Sequence, residues 1–172
     1  MLLKESINDW VLDKIYETEE QKWYRNWFKV LDIPDKGTFT TRKYVGVTLT
    51  MKQYANNKTI DDMISSQNMR HFLNLLNREC FGQKFKRQGK KLKVIPSLEV
   101  DKKGRYHYHL VLQNPFSDTP FHFERMIKRL WHKTNYGYVE VEIFDQINFG
   151  WVNYITKFNH PKNKIDLENC NI

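Results

Sequence analysis

The fold is decided by residues 92–113, which read L-K-V-I-P-S-L-E-V-D-K-K-G-R-Y-H-Y-H-L-V-L-Q. Two apolar runs flank a short polar segment, and this arrangement predicts two strands over 92–100 and 105–113 joined by Asp101-Lys102-Lys103-Gly104. Pro96 has no backbone N–H to donate, so it suggests that the first strand lies at a sheet edge or contains a bulge. A hairpin of this kind predicts an antiparallel sheet at the centre of the protein.

The turn of this hairpin determines which residues face each other across it. A three-residue loop commonly ends in a glycine at positive φ, and Gly104 stands where that glycine is needed. This register pairs Asp101 with Arg105, and therefore Glu99 with His107. A two-residue loop would shift the pairing by one position and turn Glu99 to the other face.

The sequence His107-Tyr108-His109 places two imidazoles on one face of the second strand, because side chains two apart on a strand point the same way. Tyr108 points to the opposite face. In the preferred register Glu99 stands beside the two histidines, with Cβ atoms of opposed residues about 5 Å apart. Two imidazoles and a carboxylate suit Mn²⁺ and tolerate Mg²⁺, Co²⁺ or Zn²⁺. The alternative is that the histidines form a structural pair that binds no metal.

The rest of the chain extends this hairpin into a layered fold. Alternating polarity predicts strands over 43–51 and 138–144, and helical periodicity predicts helices over 59–80 and 117–133, followed by a last helix over 147–158. The order strand, helix, strand, strand, helix, strand predicts an α+β protein of the ferredoxin-like (βαββαβ) kind, with the helices on one face of the sheet. We expect three parts, which are an N-terminal helical extension over 1–40, a functional domain over 41–160 and a C-terminal tail over 161–172.

The predicted last helix carries Ile147, Trp151, Tyr154 and Phe158 at spacings of four, three and four, so they form one stripe that should pack on the sheet. Tyr154 is thereby aimed toward the predicted metal ligands, with Lys157 one turn further along. A phenol beside a divalent ion and a lysine could attack a phosphate. The alternative is a core tyrosine with its hydroxyl at the rim.

Composition indicates a polyanionic partner. The 172 residues include 28 Lys and Arg against 20 Asp and Glu, a net charge of +8, and the isoelectric point is near 9.4. Cations that contact phosphates release condensed counterions, which favours nucleic acids as partners. The two cysteines form no C-x-x-C pair, and no apolar run suggests a signal peptide or a membrane span, so we expect a cytoplasmic protein without a membrane partner.

One segment concentrates the positive charge and interleaves it with Phe81 and Phe85. Such a segment suggests a single-strand groove, because aromatic rings stack on unpaired bases while cations bind the backbone. The alternative is a solvated, charged loop. The candidate nucleic-acid-binding residues are Arg42, Lys43, Thr48, Thr50, Lys84, Lys86, Arg87, Lys90, Lys91 and Arg105.

Three motifs together resemble those of the HUH endonucleases, most closely the single-tyrosine Rep proteins of rolling-circle replicons. V-G-V-T-L-T at 45–50 is similar to the first motif of that family. Glu99 with H-Y-H at 107–109 is similar to the second, and Y-I-T-K at 154–157 to the third. The motifs occur in the order of the family and cover roughly residues 43–158.

The resemblance implies that Tyr154 attacks a DNA phosphate to leave a 5′-phosphotyrosine and a free 3′-OH, and that a 3′-OH later rejoins the strand. It implies Glu99, His107 and His109 as ligands of Mn²⁺ or Mg²⁺, and Lys157 as a group that positions the phosphate. Phe158 stands where many relatives carry an acidic residue or a second tyrosine. No G-x-x-x-x-G-K-[ST] pattern of a helicase occurs.

The partners that the resemblance implies are a single-stranded or hairpin DNA origin, together with a helicase and a polymerase of the host. The expected setting is a bacterial plasmid or phage host, or the nucleus for a eukaryotic virus. A transposase or relaxase of the same class is an alternative, since only the DNA substrate would differ. A non-catalytic nucleic-acid-binding module on the same sheet is another, and it would form no covalent adduct.

Overall fold

The computed structural model describes residues 18–37 and 39–172. The part of the predicted N-terminal helical pattern before residue 18, including Trp10 and Ile15, lies outside the described residues. Within them the sequence prediction of an α+β protein built on an antiparallel sheet is confirmed.

The sheet has five strands, and every neighbouring pair is antiparallel. The strands are β1 (Tyr44–Met51), β4 (Val94–Val100), β5 (Tyr106–Gln113), β6 (Gly137–Phe144) and β7 (Lys164–Ile165), in the spatial order β6-β1-β5-β4-β7. The short strands β2 (Tyr54–Ala55) and β3 (Lys58–Thr59) form a separate hairpin. The predicted central hairpin is therefore β4 and β5.

Pro96 is accommodated in β4 without a bulge in the pairing with β5. Strand β4 is not at the sheet edge as the proline suggested, because β7 pairs with Ser97 and Leu98 on its other side. The Pro96 carbonyl points to that side and accepts from the N–H of Asp166 at 2.9 Å. The missing N–H thus faces the strand that pairs over only two residues, where a ladder bond is least needed.

The helices are α1 (Glu19–Lys29), α2 (Asp62–Phe81), α3 (Gln83–Gln88), α4 (Pro120–His132) and α5 (Phe149–Ile155), with a short 3₁₀ turn at Leu167–Asn169. Helix α2 matches the predicted helix and begins where the Asp61 carboxylate accepts the N–H of Ile64 at 2.8 Å. Helix α4 starts with the proline that the sequence placed in its first turn. None of the described helices is both long and apolar enough to span a bilayer.

Helices cover both faces of the sheet, whereas the sequence predicted them on one. Helices α2 and α4 pack against one face over the larger core, which includes Leu49 and Tyr108. Helices α1 and α5 pack against part of the other face, where Ile95 and Val111 supply a second, smaller core. The prediction was wrong because the second face is apolar at one end of the sheet and polar at the other, and only the polar end is left open.

Helix α5 is shorter than the predicted helix over 147–158. Ile147 precedes it and forms a β-bridge with Thr41, and the Asn148 side chain caps the helix by accepting the N–H of Gly150 at 2.9 Å. The helix ends before Thr156, and Phe158 has φ 38°. Beyond it, residues predicted as a tail form β7, and Asn171 forms a bridge to Val94. The proposed boundaries at residues 40 and 160 stay a prediction.

Candidate functional site

The turn between β4 and β5 sets the register of the site. Gly104 has φ 76°, and the N–H of Asp101 donates to the carbonyl of Arg105 at 3.0 Å. The Asp101 carboxylate also accepts the N–H of Arg105 at 2.9 Å, which holds the three-residue loop closed. Glu99 consequently pairs with His107, which confirms the predicted register.

The side chains of Glu99, His107 and His109 converge on the open half of the second sheet face. One carboxylate oxygen of Glu99 lies 2.8 Å from Nε2 of His109 and 3.7 Å from Nε2 of His107. All three potential ligand atoms lie within 4.8 Å of one another. Contacts with the two imidazoles outweigh burial and lower the pKa of Glu99 to about 2, so the carboxylate is ionised at neutral pH.

The surroundings of His109 fit a metal ligand. Its Nε2 is buried and makes no hydrogen bond, since the nearby Glu99 oxygen is close but not aligned for one. Its Nδ1 lies 3.0 Å from the Thr48 hydroxyl. A partner at Nδ1 orients the ring and favours the tautomer in which Nε2 carries the free lone pair. The three residues could therefore hold a divalent ion of the kind that accepts two nitrogens and an oxygen.

Tyr154 lies on α5 directly above this group. Its ring centroid is 5.3 Å from that of His109, and the ring stacks on Trp151 at 5.5 Å. The side chain is 50% exposed, so it is not a core tyrosine. Partial burial and the negative charges of Glu99 and Glu142 raise the pKa of the phenol. A cation beside Glu99 would offset that effect.

Helix α5 reaches the sheet closely because β1 has a glycine beneath it. A Cβ on Gly46 would lie 2.8 Å from the Trp151 ring, and the Trp151 indole N–H donates to the carbonyl of Leu110 at 3.0 Å. These contacts fix the height of Tyr154 above His109. No such role was predicted for Gly46 from the sequence, although a glycine inside a strand is a signal of close approach.

Lys157 lies just beyond the end of α5 rather than within a continuing helix. It lines a small cavity of about 40 Å³ together with Tyr154 and Glu99. Within residues 18–37 and 39–172 it makes no hydrogen bond or ion pair, so its ammonium group is available to an anion in that cavity. The predicted proximity of Lys157 to the tyrosine is thus present with a different backbone geometry.

A cleft of about 620 Å³ opens over the two histidines and Tyr154. From the predicted nucleic-acid-binding set, Thr48, Thr50 and Arg105 line it. Sequence reasoning missed other residues of its wall, although the V-E-V-E-I alternation of β6 had indicated a polar face. These missed residues are Lys52, Gln53, Tyr138, Glu140 and Glu142.

The remaining predicted nucleic-acid-binding residues lie at the other end of the sheet. Arg42 and Lys43 precede β1, and the basic segment over 84–91 forms helix α3 and the turn after it. The segment leads into β4 at Lys93, whose carbonyl accepts the N–H of Gln113. Gln113 is six residues from His107 along β5, a distance of about 20 Å in a strand. The structure does not bring this basic segment into the cleft.

The fold and the site define an α+β protein with a Glu-His-His candidate metal centre on an antiparallel sheet and a tyrosine beside it. A family model for replication-associated proteins of the ORF2 type matches residues 44–159, which span all these elements. The chain belongs to this family of replication-associated proteins. No curated protein and no solved structure matches it.

Proposed function

We propose that the protein is a metal-dependent, single-tyrosine HUH endonuclease of the Rep type that nicks and rejoins single-stranded DNA at a rolling-circle origin. The observation that carries the proposal is the placement of Tyr154 against His109, with the phenol exposed toward the cleft. Membership of a replication-associated family supports the same biological role. A non-catalytic binding module would need neither the ligand group nor the tyrosine above it.

The proposed reaction transfers a DNA phosphate to tyrosine and back. The Tyr154 oxygen attacks the scissile phosphorus, a new O–P bond forms, the bond to the 3′ oxygen breaks, and that oxygen leaves as a 3′-OH after taking up a proton. A 3′-OH then attacks the phosphotyrosine, which restores a phosphodiester and the free phenol. Mn²⁺ or Mg²⁺ held by Glu99, His107 and His109 would polarise the phosphate and neutralise its developing charge.

Lys157 complements this arrangement from the opposite side of the tyrosine. Its ammonium group, in the cavity shared with Tyr154 and Glu99, is placed to bind a non-bridging phosphate oxygen or to stabilise the phenolate. Because the negative charges of Glu99 and Glu142 oppose deprotonation of the phenol, a nearby cation is required for efficient attack. Lys157 and the metal site would supply positive charge from two directions.

DNA would be held in two places. Thr48, Thr50, Lys52 and Arg105 line the cleft and are suited to the few nucleotides around the scissile phosphate. The basic segment over 84–91 lies about 20 Å away, so we propose that it binds the flanking backbone of a hairpin or extended strand. A helicase and a polymerase of the host would act on the nicked product.

The test is a covalent adduct assay with single-stranded DNA carrying a candidate origin and Mn²⁺, resolved on a denaturing gel. We expect a shifted band that disappears in Tyr154→Phe and on addition of a chelator. The matched control is Tyr138→Phe, which removes the hydroxyl of another partly exposed tyrosine in the same cleft and should leave the band in place. Strand scission by Tyr154→Phe would instead indicate a water nucleophile, and DNA binding without any adduct would indicate a non-catalytic module.

A further inference from the structure

The end of helix α5 requires support from outside the helix. The helix has only seven residues, and a helix this short is not stable on its own. Tyr154 is its second-last residue, so fraying of the last turn would move the phenol. The last carbonyl groups of a helix also lack partners within it and must find them elsewhere.

Two side chains from distant parts of the chain supply those partners. The Ser97 hydroxyl on β4 donates to the carbonyl of Ile155 at 2.9 Å. The Gln21 amide on α1 donates to the carbonyl of Thr156 at 3.0 Å. The helix end is therefore held by the sheet on one side and by α1 on the other.

Thr156 is the point at which α1 grips the segment. The residue is fully buried, and its hydroxyl accepts from Nε of Arg25 at 3.1 Å. The same hydroxyl donates to the carbonyl of Val152 at 2.8 Å, inside α5. The contact with Arg25 is thus relayed directly to the backbone of the helix that carries Tyr154.

Helix α1 also contacts the residue on the other side of Lys157. Phe158 has φ 38°, a left-handed conformation that is unfavourable for a residue with a bulky side chain. The ring of Tyr24 packs edge-on against the Phe158 ring at 5.8 Å. Lys157 therefore stands between two residues, Thr156 and Phe158, that are both held by α1.

The supporting helix is itself well anchored. Thr18 and Gln21 form a capping box at its start, in which the Gln21 side-chain oxygen accepts the N–H of Thr18 at 2.9 Å. Tyr24 and Phe28 are buried in the smaller core. The Gln21 side chain thus acts with both ends, because its oxygen caps α1 while its nitrogen binds Thr156.

We propose that α1 is a clamp that positions Tyr154 and Lys157 for attack, and that Gln21 and Arg25 are its positioning residues, acting through Thr156. The proposal rests on the proposed nuclease function, but it concerns the speed of the attack rather than its existence. The helix touches neither the candidate metal ligands nor the cleft. Loosening the clamp should slow the chemical step without weakening the binding of metal or DNA.

Gln21→Glu isolates the clamp from the stability of α1. Glutamate at this position keeps the oxygen that completes the capping box, loses the donor to Thr156, and sets a carboxylate against its carbonyl. We expect single-turnover adduct formation with saturating DNA and Mn²⁺ to slow between about tenfold and about 100-fold, as for a misplaced reacting group. The dissociation constants for Mn²⁺ and DNA, measured with Tyr154→Phe as the background, should not change.

Thr18→Ala is the matched control, because it removes the cap of α1 and leaves the Gln21 amide in place. Its adduct rate should stay near that of the wild type below its unfolding temperature. A double-mutant cycle of Arg25→Met and Thr156→Val should show that the two changes are not additive. The clamp is wrong if Gln21→Glu reacts as fast as the wild type, or if Thr18→Ala slows the reaction equally. A wild-type protein that forms no adduct would instead contradict the nuclease function.

Discussion

At the residue scale, His109 is the most constrained member of the candidate metal group. Thr48 contacts one ring nitrogen, Glu99 lies against the other, and the rings of Trp151 and Tyr154 pack edge-on at 5.7 and 5.3 Å. A ligand held on all sides loses little freedom when it binds an ion, which favours a preorganised site. His107 is less buried and has only a long contact to a backbone carbonyl, so it is the more adaptable ligand.

Thr48→Val should weaken Mn²⁺ binding by about tenfold to 100-fold, because it preserves shape and removes the hydroxyl that orients His109. Titration calorimetry without DNA measures the effect independently of catalysis. The matched control is Thr50→Val on the same strand face, whose hydroxyl donates to the carbonyl of Glu140 rather than to a histidine. Equal losses in the two variants would show that Thr48 acts only through the general packing of β1.

At the element scale, the reaction geometry depends on the height of α5 above the sheet. Gly46 permits the close approach, Trp151 fills the space, and its indole bond to the carbonyl of Leu110 fixes the ring. The predicted stripe of apolar residues correctly turned Tyr154 toward the sheet. The stripe did not show that the helix stops at Ile155, because its end depends on Ser97 and Gln21, which are far away in the sequence.

Gly46→Ala should slow adduct formation by roughly tenfold or more, since its Cβ would lie 2.8 Å from the Trp151 ring and push α5 outward. Adduct formation under single-turnover conditions is the measurement. Adding Trp151→Phe, which makes the ring smaller, should restore part of the rate despite the loss of the indole bond. A Gly46→Ala protein with the wild-type rate would contradict the role assigned to this close approach.

At the scale of the whole molecule, positive charge and chemistry are separated. Residues 80–98 carry six cations and no acid, which is most of the net charge of +8. The cleft has Glu140, Glu142 and Asp101 on its walls beside Lys52 and Arg105. A nearly balanced cleft binds phosphates weakly, so most of the electrostatic affinity for DNA must come from the remote basic segment.

Changing Lys84, Lys86 and Arg87 to Gln together should therefore weaken DNA binding and reduce its dependence on salt. If all three contact phosphates, the slope of log K against log salt should fall by roughly two to three. The control variant changes Arg70, Lys128 and Arg129 to Gln, which removes the same charge from cations that are paired with Glu168, Glu124 and Glu79. An unchanged slope in the first variant would show that the basic segment is a solvated surface.

Local rules were enough for the sequence by itself to determine the hairpin and the ligand group. Alternation along a strand and the glycine of a three-residue turn act over a few residues, so the local pattern alone brings Glu99, His107 and His109 together. Only the tertiary structure decided that α1 holds the end of α5, that β7 covers β4, and that the basic segment lies far from the cleft. Each of these depends on which distant surfaces bury each other, and that choice is made by the packing of the whole chain rather than by the pattern of any one segment.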